Sequence, residues 1–447
     1  MKLLTLILTL FAIALHAADP EWKAGVAKAM ITPKEPMWMA GYAGRNKPAE
    51  GTALDLYAKA LALEDARGTR FVFVTLDLLA VPRPLRTNLE KRLGEAYHLP
   101  PDSFVLNASH THCGPGYRVG NVAAESFEAG PKEPAEAYGS LLEDTLFKLV
   151  GDALAQLAPA QLSYHHAGCG FAMNRRLPVD GTFHNSPYPE GPVDQDVPVL
   201  RVSGTDGAVR AILFGYACHN TTLQFYQWCG DYAGYAQEAL EAAHPGAVAL
   251  FVEGCGGDQN PYPRSKIELA KLHGQSLATA VDAALTATAQ AVHGPLQEKF
   301  SDVEIDFAPT PTREELDDQA KGTDKLTASH AQRLLTRLDN GETLPAHYPY
   351  PVQVLRFGNG LTFVGLAGET VVDYSLRLKH ELPGAPVWIA GYCNDVMTYI
   401  PSRRVLEEGG YEGTDAMKLS SLPGPWAPSI EERIIGQVHT LLRGFTP

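Results

Sequence analysis

Two kinds of apolar pattern alternate along this chain and constrain its fold more than any other feature. Short runs bounded by Gly, Pro or Asn are typical of strands, and longer runs with a 3.6-residue period are typical of amphipathic helices. The predicted strands cover residues 71–79, 104–108, 198–202, 209–217, 248–252 and 387–390. The predicted helices cover residues 85–97, 134–157, 232–243, 266–289 and 371–381. The alternation predicts an α/β fold with a mixed β-sheet core flanked by helices.

The carboxy-terminal half adds three local predictions. Residues 353–357 and 361–366 flank a Gly-Asn-Gly sequence, which predicts a β-hairpin. Residues 312–342 are polar with a helical period, which is typical of a helical insertion on the surface. Ser429 and Glu432 have the spacing of a capping box and predict a last helix that ends near residue 442. No internal repeat is found, so we expect a single large catalytic domain with a metal site at strand ends.

The first residues predict export of the chain. Lys2 precedes an apolar run at residues 3–15, and small residues follow at Ala17 and Ala18. This order is typical of a secretory signal peptide. We therefore expect residues 1–18 to be removed and residues 19–447 to form a secreted or periplasmic domain. No other segment approaches the ~18 consecutive apolar residues of a membrane-spanning helix, so no transmembrane segment is predicted.

Six cysteines are available for oxidation in an exported chain. They are Cys113, Cys169, Cys218, Cys229, Cys255 and Cys393. We expect one or two disulfides among them, with the pairing left open because many pairings are possible. None of the six has the C-x-x-C spacing of a structural zinc site, which excludes a cysteine-based zinc module.

The charge balance argues against a nucleic acid partner. The chain has 37 Lys and Arg residues against 51 Asp and Glu residues, a formal net charge of −14. An acidic chain of this kind has no basic surface with which to neutralise phosphates. We therefore expect no nucleic acid partner, and the sequence leaves the oligomeric state open.

Histidines at the ends of predicted strands indicate a metal site. His110 and His112 follow the strand at 104–108, and residues two apart on an extended chain point to the same face. His219 follows the strand at 209–217 in the same way. Neutral imidazoles that are presented together are ligands that zinc prefers. Hydrogen-bonded loop histidines without a metal are the alternative that these residues leave open.

Four carboxylates stand out beside these histidines. Glu369 follows small residues at the end of the hairpin, where an anionic ligand and an N-terminal charge on the next helix are both consistent with the sequence. Asp258 lies in a glycine-rich loop that lacks the residues of a phosphate-binding loop. Asp231 is predicted to be a helix N-cap. Asp77 lies within an apolar run, and a role in support of the site and a structural role are equally open.

Short motifs occur in order from about Trp22 to Thr414. They are Met30-Ile31-Thr32-Pro33, Met39-Ala40-Gly41-Tyr42, Ser109-His110-Thr111-His112-Cys113-Gly114-Pro115-Gly116, Asn174-Arg175, His219, Asp231 to Tyr235, Gly257-Asp258-Gln259-Asn260-Pro261, Gly368-Glu369, Asn394 to Tyr399 and Tyr411-Glu412-Gly413. No single motif is specific, but the ordered set is. The set resembles the amino-terminal catalytic domain of the neutral/alkaline, non-lysosomal ceramidases.

This resemblance implies a site, carried over motif by motif. The implied zinc ligands are His110, His219, Glu369 and Tyr399. The residues implied to contact the substrate carbonyl are His112, Arg175 and Tyr411. Asp258 is expected to relay the proton, and Asn260 is expected to orient the substrate.

Two departures from the family pattern change the expected substrate. Asn260 occupies the position before Pro261 where the family usually has a serine that is implicated in catalysis. Because the sequence ends at Pro447, we also expect no carboxy-terminal β-sandwich domain of the kind that ceramidases carry. We therefore expect amidase activity on at least one N-acyl compound, with weak or absent turnover of ceramide. The alternative is that Asn260 replaces the serine and ceramide remains the best substrate.

Taken with the resemblance, these features predict a secreted, zinc-dependent hydrolase that cleaves an amide bond by attack of a metal-activated water. The expected substrate is a small-molecule or lipid-like N-acyl compound, such as an N-acyl sphingosine. Two alternatives are left open. One is a zinc esterase or amidase for a non-lipid substrate, and the other is a secreted binding protein that keeps the fold without catalysis.

Overall fold

The computed structural model describes residues 21–124 and 130–445. Its strands are β1 (Trp22–Met30), β2 (Tyr57–Asp65), β3 (Arg70–Leu76), β4 (Phe104–Ala108), β5 (Arg118–Val119), β6 (Val122–Ala123), β7 (Ala158–Gly168), β8 (Ala172–Val179), β9 (Thr182–Tyr188), β10 (Asp196–Gly204), β11 (Val209–Tyr216), β12 (Val248–Glu253), β13 (Gln259–Pro261), β14 (Gln290–Ala291), β15 (Leu296–Asp306), β16 (His347–Phe357), β17 (Leu361–Leu366), β18 (Glu369–Thr370), β19 (Val387–Ala390) and β20 (Tyr399–Ile400). Its α-helices are α1 (Arg83–Tyr97), α2 (Lys132–Ala155), α3 (Asp231–Ala243), α4 (Ile267–Thr286), α5 (Arg313–Ala320), α6 (Lys325–Asp339), α7 (Val372–Glu381), α8 (Arg403–Glu408) and α9 (Ile430–Arg443).

A nine-stranded mixed sheet forms the centre of the fold. Eight of its strands follow the order β12-β11-β10-β7-β1-β2-β3-β4, and β14 pairs with β7. The outermost pairs, β11 with β12 and β3 with β4, are parallel, and the other neighbours on this path are antiparallel. Parallel neighbours need a crossover connection. The helices α1 and α3 provide these two crossovers, one at each end of the sheet.

A second sheet, of order β15-β16-β17-β19, packs against the central one. Their shared core includes Phe73 and Leu213 from the central sheet and Phe363 and Trp388 from the second sheet, all buried. The helix α9 covers a further core on the second sheet, where Ile434 is buried with strand residues. The site loops at the strand ends therefore rest on rigid, fully packed elements.

The two edges of the central sheet, β4 and β12, are joined through the side chain of Asn107. Its Oδ1 accepts the N–H of Glu253 at 2.8 Å, and its Nδ2 donates to the carbonyls of Gly391 at 2.8 Å and Glu253 at 3.3 Å. The segment after β19 lies between these edges, because Gly391 donates its N–H to Glu253 and Asn394 donates its N–H to Leu106. The buried carboxamide of Asn107 and the backbone of this segment together bridge the two edges of the sheet.

The predicted surface insertion is confirmed as a helical hairpin, α5 and α6, between β15 and β16. The helix α5 begins with a capping box formed by Thr312 and Glu315. Leu316, Ala331 and Leu334 form a small buried cluster within the hairpin. The hairpin therefore contributes a surface without contributing to the main core.

Most sequence predictions of strands and helices are confirmed with small changes of boundary. The strands at 104–108 and 387–390 are β4 and β19, and the predicted hairpin is formed by β16 and β17. The strand predicted at 71–79 ends at Leu76. The capping box predicted at Ser429 is wrong, because its side chain makes no capping hydrogen bond and its backbone is already helical, with φ −77° and ψ −7°.

The sequence patterns miss the long strands β1 and β2. Both are rich in Ala and contain Lys, which are helix formers in isolation. The two strands instead pair over nine residues, from Trp22 with Asp65 to Met30 with Tyr57. Pairing with neighbouring strands overrides their local preference.

The disulfide prediction is wrong. All six cysteines are free and buried, so each thiol packs as a small apolar group.

The predicted signal peptide, residues 1–18, lies outside the described residues. Across residues 21–124 and 130–445, no helix is long and apolar enough to cross a membrane.

Replacing Asn107 with Ala tests the closure of the sheet. The change leaves the buried N–H of Glu253 and carbonyl of Gly391 without their partner, so we expect the free energy of unfolding to fall by about 2–5 kcal/mol. Urea denaturation of the two proteins measures this difference.

Asn359→Ala is the matched control, because Asn359 is exposed in the turn between β16 and β17. We expect it to change the free energy of unfolding by less than about 0.5 kcal/mol. Equal stability of the Asn107→Ala and Asn359→Ala proteins would contradict a closing role for Asn107.

Candidate metal centre

Two strand ends supply the histidines of the site. His110 and His112 follow β4, and His219 follows β11. The sequence argument assumed an extended chain at His110 and His112, and this assumption is wrong because His110 has a left-handed φ of 60°. The rings of His110 and His112 nevertheless meet, with centroids 4.7 Å apart and planes at 83°. A tight turn, not strand alternation, brings them together.

Backbone carbonyls fix the orientation of two of these imidazoles. His110 Nδ1 lies 2.8 Å from the carbonyl oxygen of Leu79, and His219 Nδ1 lies 2.6 Å from that of Gly256. Because a carbonyl only accepts, each Nδ1 carries a proton, and the Nε2 atom of each ring faces the cluster. Partners of this kind orient the histidines that ligate metals.

Glu369 and Tyr399 reach the same place through strand pairing. The strands β18 and β20 form a parallel pair in which Glu369 and Tyr399 are register partners. Glu369 Oε2 lies 3.2 Å from Nε2 of His110 and 3.2 Å from Nε2 of His219. The Tyr399 hydroxyl lies 3.1 Å from His219 Nε2. The carboxylate of Glu369 therefore faces the histidines, which disfavours its alternative role as a charge at the start of α7.

The donor set of this cluster fits a metal cation. Glu369 Oε2 is buried and has no hydrogen-bond partner among the described residues, and it faces the Nε2 atoms of two imidazoles. Burial and the charge of Arg175 lower the pKa of His219 to about 3, so this ring is neutral at neutral pH. Acceptor atoms held together in the interior need a positive charge between them. Two imidazoles, a carboxylate and a phenol oxygen suit zinc.

His112 forms a triad with the other two histidines. Its Nε2 lies 3.1 Å from Nε2 of His110, and the potential ligand atoms of His110, His112 and His219 all lie within 4.8 Å of one another. Tyr42 packs on the His112 ring at 4.7 Å between centroids. Gly41 adjoins the same ring with φ 96°, and a Cβ there would lie 2.5 Å from it, so only glycine fits. In this position His112 could bind a metal or contact a substrate, and its role stays a prediction.

Arg175 lies behind the cluster with three of its nitrogens engaged. Nε donates to Glu412 at 2.7 Å, Nη1 to Asn260 Oδ1 at 3.1 Å, and Nη2 to the Tyr399 hydroxyl at 2.9 Å. Its side chain is 4% exposed, and it is not among the described residues that line the pocket in front of the histidines. Arg175 therefore contacts the cluster through its hydrogen bond to Tyr399. Its contact with a substrate carbonyl stays a prediction.

Asn260 is fully buried beside Arg175. Its Oδ1 accepts from Arg175 Nη1 and, at 3.3 Å, from the hydroxyl of Thr221. Its Nδ2 lies 3.4 Å from Asn185 Oδ1 and 3.5 Å from the Tyr262 hydroxyl. A serine at this position would carry its oxygen one bond closer to the backbone, so Asn260 changes what Arg175 contacts.

The sequence analysis assigned no role to Glu412 or Arg176. Glu412 is buried and accepts from Arg175 and from Arg176, each at 2.7 Å. Burial opposes ionisation of Glu412, but the two guanidinium groups hold its pKa below the usual range. Adjacent arginines in β8 signal that a buried carboxylate is needed. The sequence does not indicate which carboxylate pairs with the arginines, because Glu412 lies 237 positions from Arg175 along the chain.

Tyr411 lines the pocket in front of the cluster, as does His112. Gly409 and Gly410 precede it with φ of 69° and 73°, a reversal that sets Tyr411 at the pocket mouth. Its ring lies 5.3 Å from that of Tyr399 between centroids. Tyr411 is 38% exposed as a residue, but loss of water around its hydroxyl raises the pKa of Tyr411 to about 12, so this group keeps a proton to donate.

Asp258 has structural partners for both carboxylate oxygens. Oδ1 accepts the N–H of Val372 at 2.8 Å, and Oδ2 accepts from Asn174 Nδ2 at 3.0 Å. These bonds tie the glycine-rich loop after β12 to the start of α7. Asp258 is fully buried and is not among the described residues that line the pocket, and its assignment as a proton relay stays a prediction.

Two further carboxylates support loops. The N-cap prediction for Asp231 is wrong, because Gly230 is the N-cap and Asp231 is the first helical residue. Its Oδ2 instead accepts the N–H of Leu223 at 2.8 Å and holds the loop after His219. Asp77 accepts from the N–H of Tyr57 at 2.9 Å and from Gln237 Nε2 at 3.1 Å, which favours its structural role.

Comparisons with known proteins identify the family and the fold of this chain. A profile of the family described as "Neutral/alkaline non-lysosomal ceramidase, N-terminal" matches residues 22–305. The neutral ceramidase of Pseudomonas aeruginosa is 23% identical over 527 aligned residues, which cover 100% of this chain and 76% of that protein. The crystal structure of neutral ceramidase from P. aeruginosa has a TM-score of 0.73 at 22% identity, covering 96% of this chain and 76% of that one. A ceramidase complexed with C2 has a TM-score of 0.73 at 20% identity, covering 95% and 76%.

The structural similarity shows that the mixed α/β fold is shared with neutral ceramidases. The profile covers more than half of the chain and includes the loops that carry His110, His112 and His219. It ends before Glu369 and Tyr399, which the register of β18 and β20 brings to the same cluster. The resemblance found in the ordered motifs is confirmed, and this chain belongs to the neutral/alkaline, non-lysosomal ceramidase family.

Proposed function

We propose that this chain is a zinc-dependent amidohydrolase that cleaves the amide bond of a lipid-like N-acyl substrate. One observation carries the proposal: an unpaired, buried oxygen of Glu369 lies 3.2 Å from the Nε2 atoms of both His110 and His219. Membership of the ceramidase family supports amide hydrolysis as the reaction. The neighbouring ceramidase complexed with C2 supports a lipid-like substrate.

In this proposal the zinc is held by His110, His219, Glu369 and Tyr399. Bound zinc would polarise the substrate carbonyl and lower the pKa of a water toward neutrality. The carbonyls of Leu79 and Gly256 hold both imidazoles in the correct tautomer, so the residues need little rearrangement to receive the ion.

Arg175 positions the phenol of Tyr399. The hydrogen bond of 2.9 Å from Arg175 Nη2 fixes the Tyr399 hydroxyl next to His219 Nε2. Glu412 neutralises the guanidinium at 2.7 Å, which offsets the cost of burying this charge. These contacts support an action of Arg175 on the centre through Tyr399, and its contact with a substrate carbonyl stays a prediction.

His112 and Tyr411 face the substrate. Burial lowers the pKa of His112 well below its usual range, so the neutral ring offers one N–H donor. Tyr411 offers its hydroxyl, and a preorganised donor to a developing oxyanion is worth about 2.7–4 kcal/mol. In the hydrolysis, the oxygen of water joins the acyl carbon, the C–N bond breaks, and a proton passes to the leaving nitrogen.

Export of the chain is part of this proposal. Lys2, the apolar run at residues 3–15 and the small residues after it support a signal peptide. Residues 19–447 then form the mature hydrolase.

Removing a ligand histidine is expected to abolish both metal binding and turnover. His110→Ala and His219→Ala each remove a nitrogen ligand, so both proteins lose most of their zinc and their activity. His112→Ala keeps its zinc while kcat falls about 10²–10³-fold, because it removes an oxyanion donor. Metal analysis and turnover of N-acyl substrates measure the two quantities.

His166→Ala is the control, because His166 is exposed on β7 and does not belong to the cluster. It is expected to keep wild-type zinc and kcat. Full zinc content in His110→Ala contradicts the ligand assignment. Zinc loss in His112→Ala equal to that of His110→Ala moves His112 into the ligand set. Stoichiometric zinc without turnover of any amide or ester in the wild type favours the binding-protein alternative.

Arg175→Lys tests the positioning of Tyr399. Lysine keeps the charge but cannot bond Glu412, Asn260 and Tyr399 together, so we expect kcat/KM to fall about 10–100-fold while most zinc remains. Arg176→Lys is the matched control, because Arg176 also binds Glu412 but does not contact Tyr399. A kcat/KM that falls equally in both variants would show a general loss of structure instead.

Asn260→Ser tests the departure from the family pattern. We expect the wild type to cleave a small N-acyl amine better than a short-chain ceramide, and Asn260→Ser to raise kcat/KM for the ceramide. Asn359→Ser makes the same change in an exposed turn and serves as the control. The expectation fails if the wild type prefers ceramide by tenfold or more, about 1.4 kcal/mol, and Asn260→Ser changes nothing.

A further inference from the structure

The pocket that His110, Glu369 and Tyr399 line is small. Its volume of 60 Å³ is enough for a few water-sized groups. Pockets that enclose a drug-sized ligand measure roughly 300–1,000 Å³. A substrate whose amide lies at the histidines therefore places most of its atoms outside this pocket.

A larger groove continues from the pocket. Its volume is 1320 Å³, and Val396, Met397 and Leu419 line both the groove and the pocket. These three residues form a shared wall, so a chain attached to an amide in the pocket passes directly into the groove.

The groove has apolar walls. Pro82 and Pro84 at the start of α1 form one side, and Leu326 of α6 and Leu422 form part of another. Surfaces of this kind bind hydrocarbon by removing it from water. The groove therefore suits the alkyl chain of an amphiphile.

One face of α6 adds positive charge to these walls. Lys325, Ser329 and Arg333 are spaced four residues apart, which places them on one face of the helix, and all three line the groove. Arg333 is fixed by neutral acceptors alone: it donates to Ser329 Oγ at 2.8 Å and to the carbonyls of Ser420 and Lys418. Its guanidinium is held in place without a carboxylate to neutralise it.

The carboxylate in the described part of the groove lining is already neutralised. Among the described residues that line the groove, the carboxylate is that of Asp395. It accepts hydrogen bonds from Arg83 Nε at 2.9 Å and from the Tyr348 hydroxyl at 2.7 Å. Across residues 21–124 and 130–445, neither Lys325 nor Arg333 has a carboxylate within ion-pair distance. In a chain of net charge −14, this pair of cations on an apolar wall is complementary to an anion.

We propose that the groove binds the alkyl chain of an N-acyl substrate that carries an anionic group remote from the amide, and that Lys325 and Arg333 recognise this anion. The inference rests on the proposed amide hydrolysis and specifies its substrate class. A carboxylate, sulfate or phosphate supplies the required charge. Ceramide, a neutral lipid, lacks such a group.

Paired substrates test this proposal in the full chain. One amine is acylated with a medium-chain fatty acid and, separately, with the dicarboxylic acid of equal length, so that the two amides differ in one terminal carboxylate. A second pair carries the carboxylate on the amine side, which distinguishes the two ends of the substrate. We expect the wild type to prefer the anionic member of one pair about tenfold in kcat/KM at low salt, and Lys325→Gln and Arg333→Gln to remove most of this preference.

Lys321→Gln is the matched control, because Lys321 lies on the same hairpin, is exposed beside Asp318, and does not line the groove. Its preference should equal that of the wild type. The side chain of Lys325 makes no hydrogen bond or ion pair with the described residues, so Lys325→Gln keeps the test decisive if Arg333→Gln fails to fold. Equal turnover of both members of both pairs by the wild type overturns the proposal, as does an equal loss of preference in Lys321→Gln.

A binding measurement separates this proposal from the proposed hydrolysis. If the wild type cleaves none of the amides, calorimetry compares its affinity for a medium-chain fatty carboxylate with that for the alcohol of equal length. Tighter binding of the carboxylate that is lost in Lys325→Gln supports the groove assignment even though hydrolysis fails. Equal binding of carboxylate and alcohol overturns it.

Discussion

The buried carboxamide of Asn107 and the segment after β19 bridge the two edges of the central sheet, and the histidine cluster lies beside this bridge. His110 follows β4 at one edge, whereas His219 follows β11, next to the other edge. In an open sheet these strand ends would lie on opposite sides of the molecule. Asn107 bonds both backbone groups of Glu253 across the gap, and loss of such a bond in the interior costs more than its formation contributes because the partners stay buried.

Backbone strain is concentrated around the same closure. His110, Asp231, Tyr392 and Asn394 all have positive φ, between 51° and 66°, a conformation that costs a non-glycine residue about 1–2 kcal/mol. Local contacts offset this cost: Asn394 Oδ1 accepts the N–H of Leu106 at 3.1 Å, and the Tyr392 ring lies 4.6 Å from that of His110. Strain of this kind is typical of sites that hold reactive groups close together.

The acceptor cluster and the groove proposed for the substrate belong to different parts of the fold. The acceptor cluster is built from the ends of packed strands, and its supporting charges, Arg175 and Glu412, are buried. The groove that continues from it is bounded in part by α6, which belongs to a hairpin with its own small core. Substitutions in the hairpin can therefore change the groove while the geometry of the acceptor cluster remains, since function resides in sites carried by a fold.

The sequence by itself determined the α/β class, the strands β4 and β19, the hairpin of β16 and β17, and the histidines at strand ends, because these follow from periodicity and from near neighbours. It did not determine β1 and β2, whose Ala-rich segments become strands only through pairing. Tertiary structure alone decided that Glu369 meets His110 and His219, and that Arg175 lies behind Tyr399 and binds Glu412, 237 positions away. Contacts of this kind depend on how two sheets pack, and no local pattern encodes the distance between chain segments that far apart.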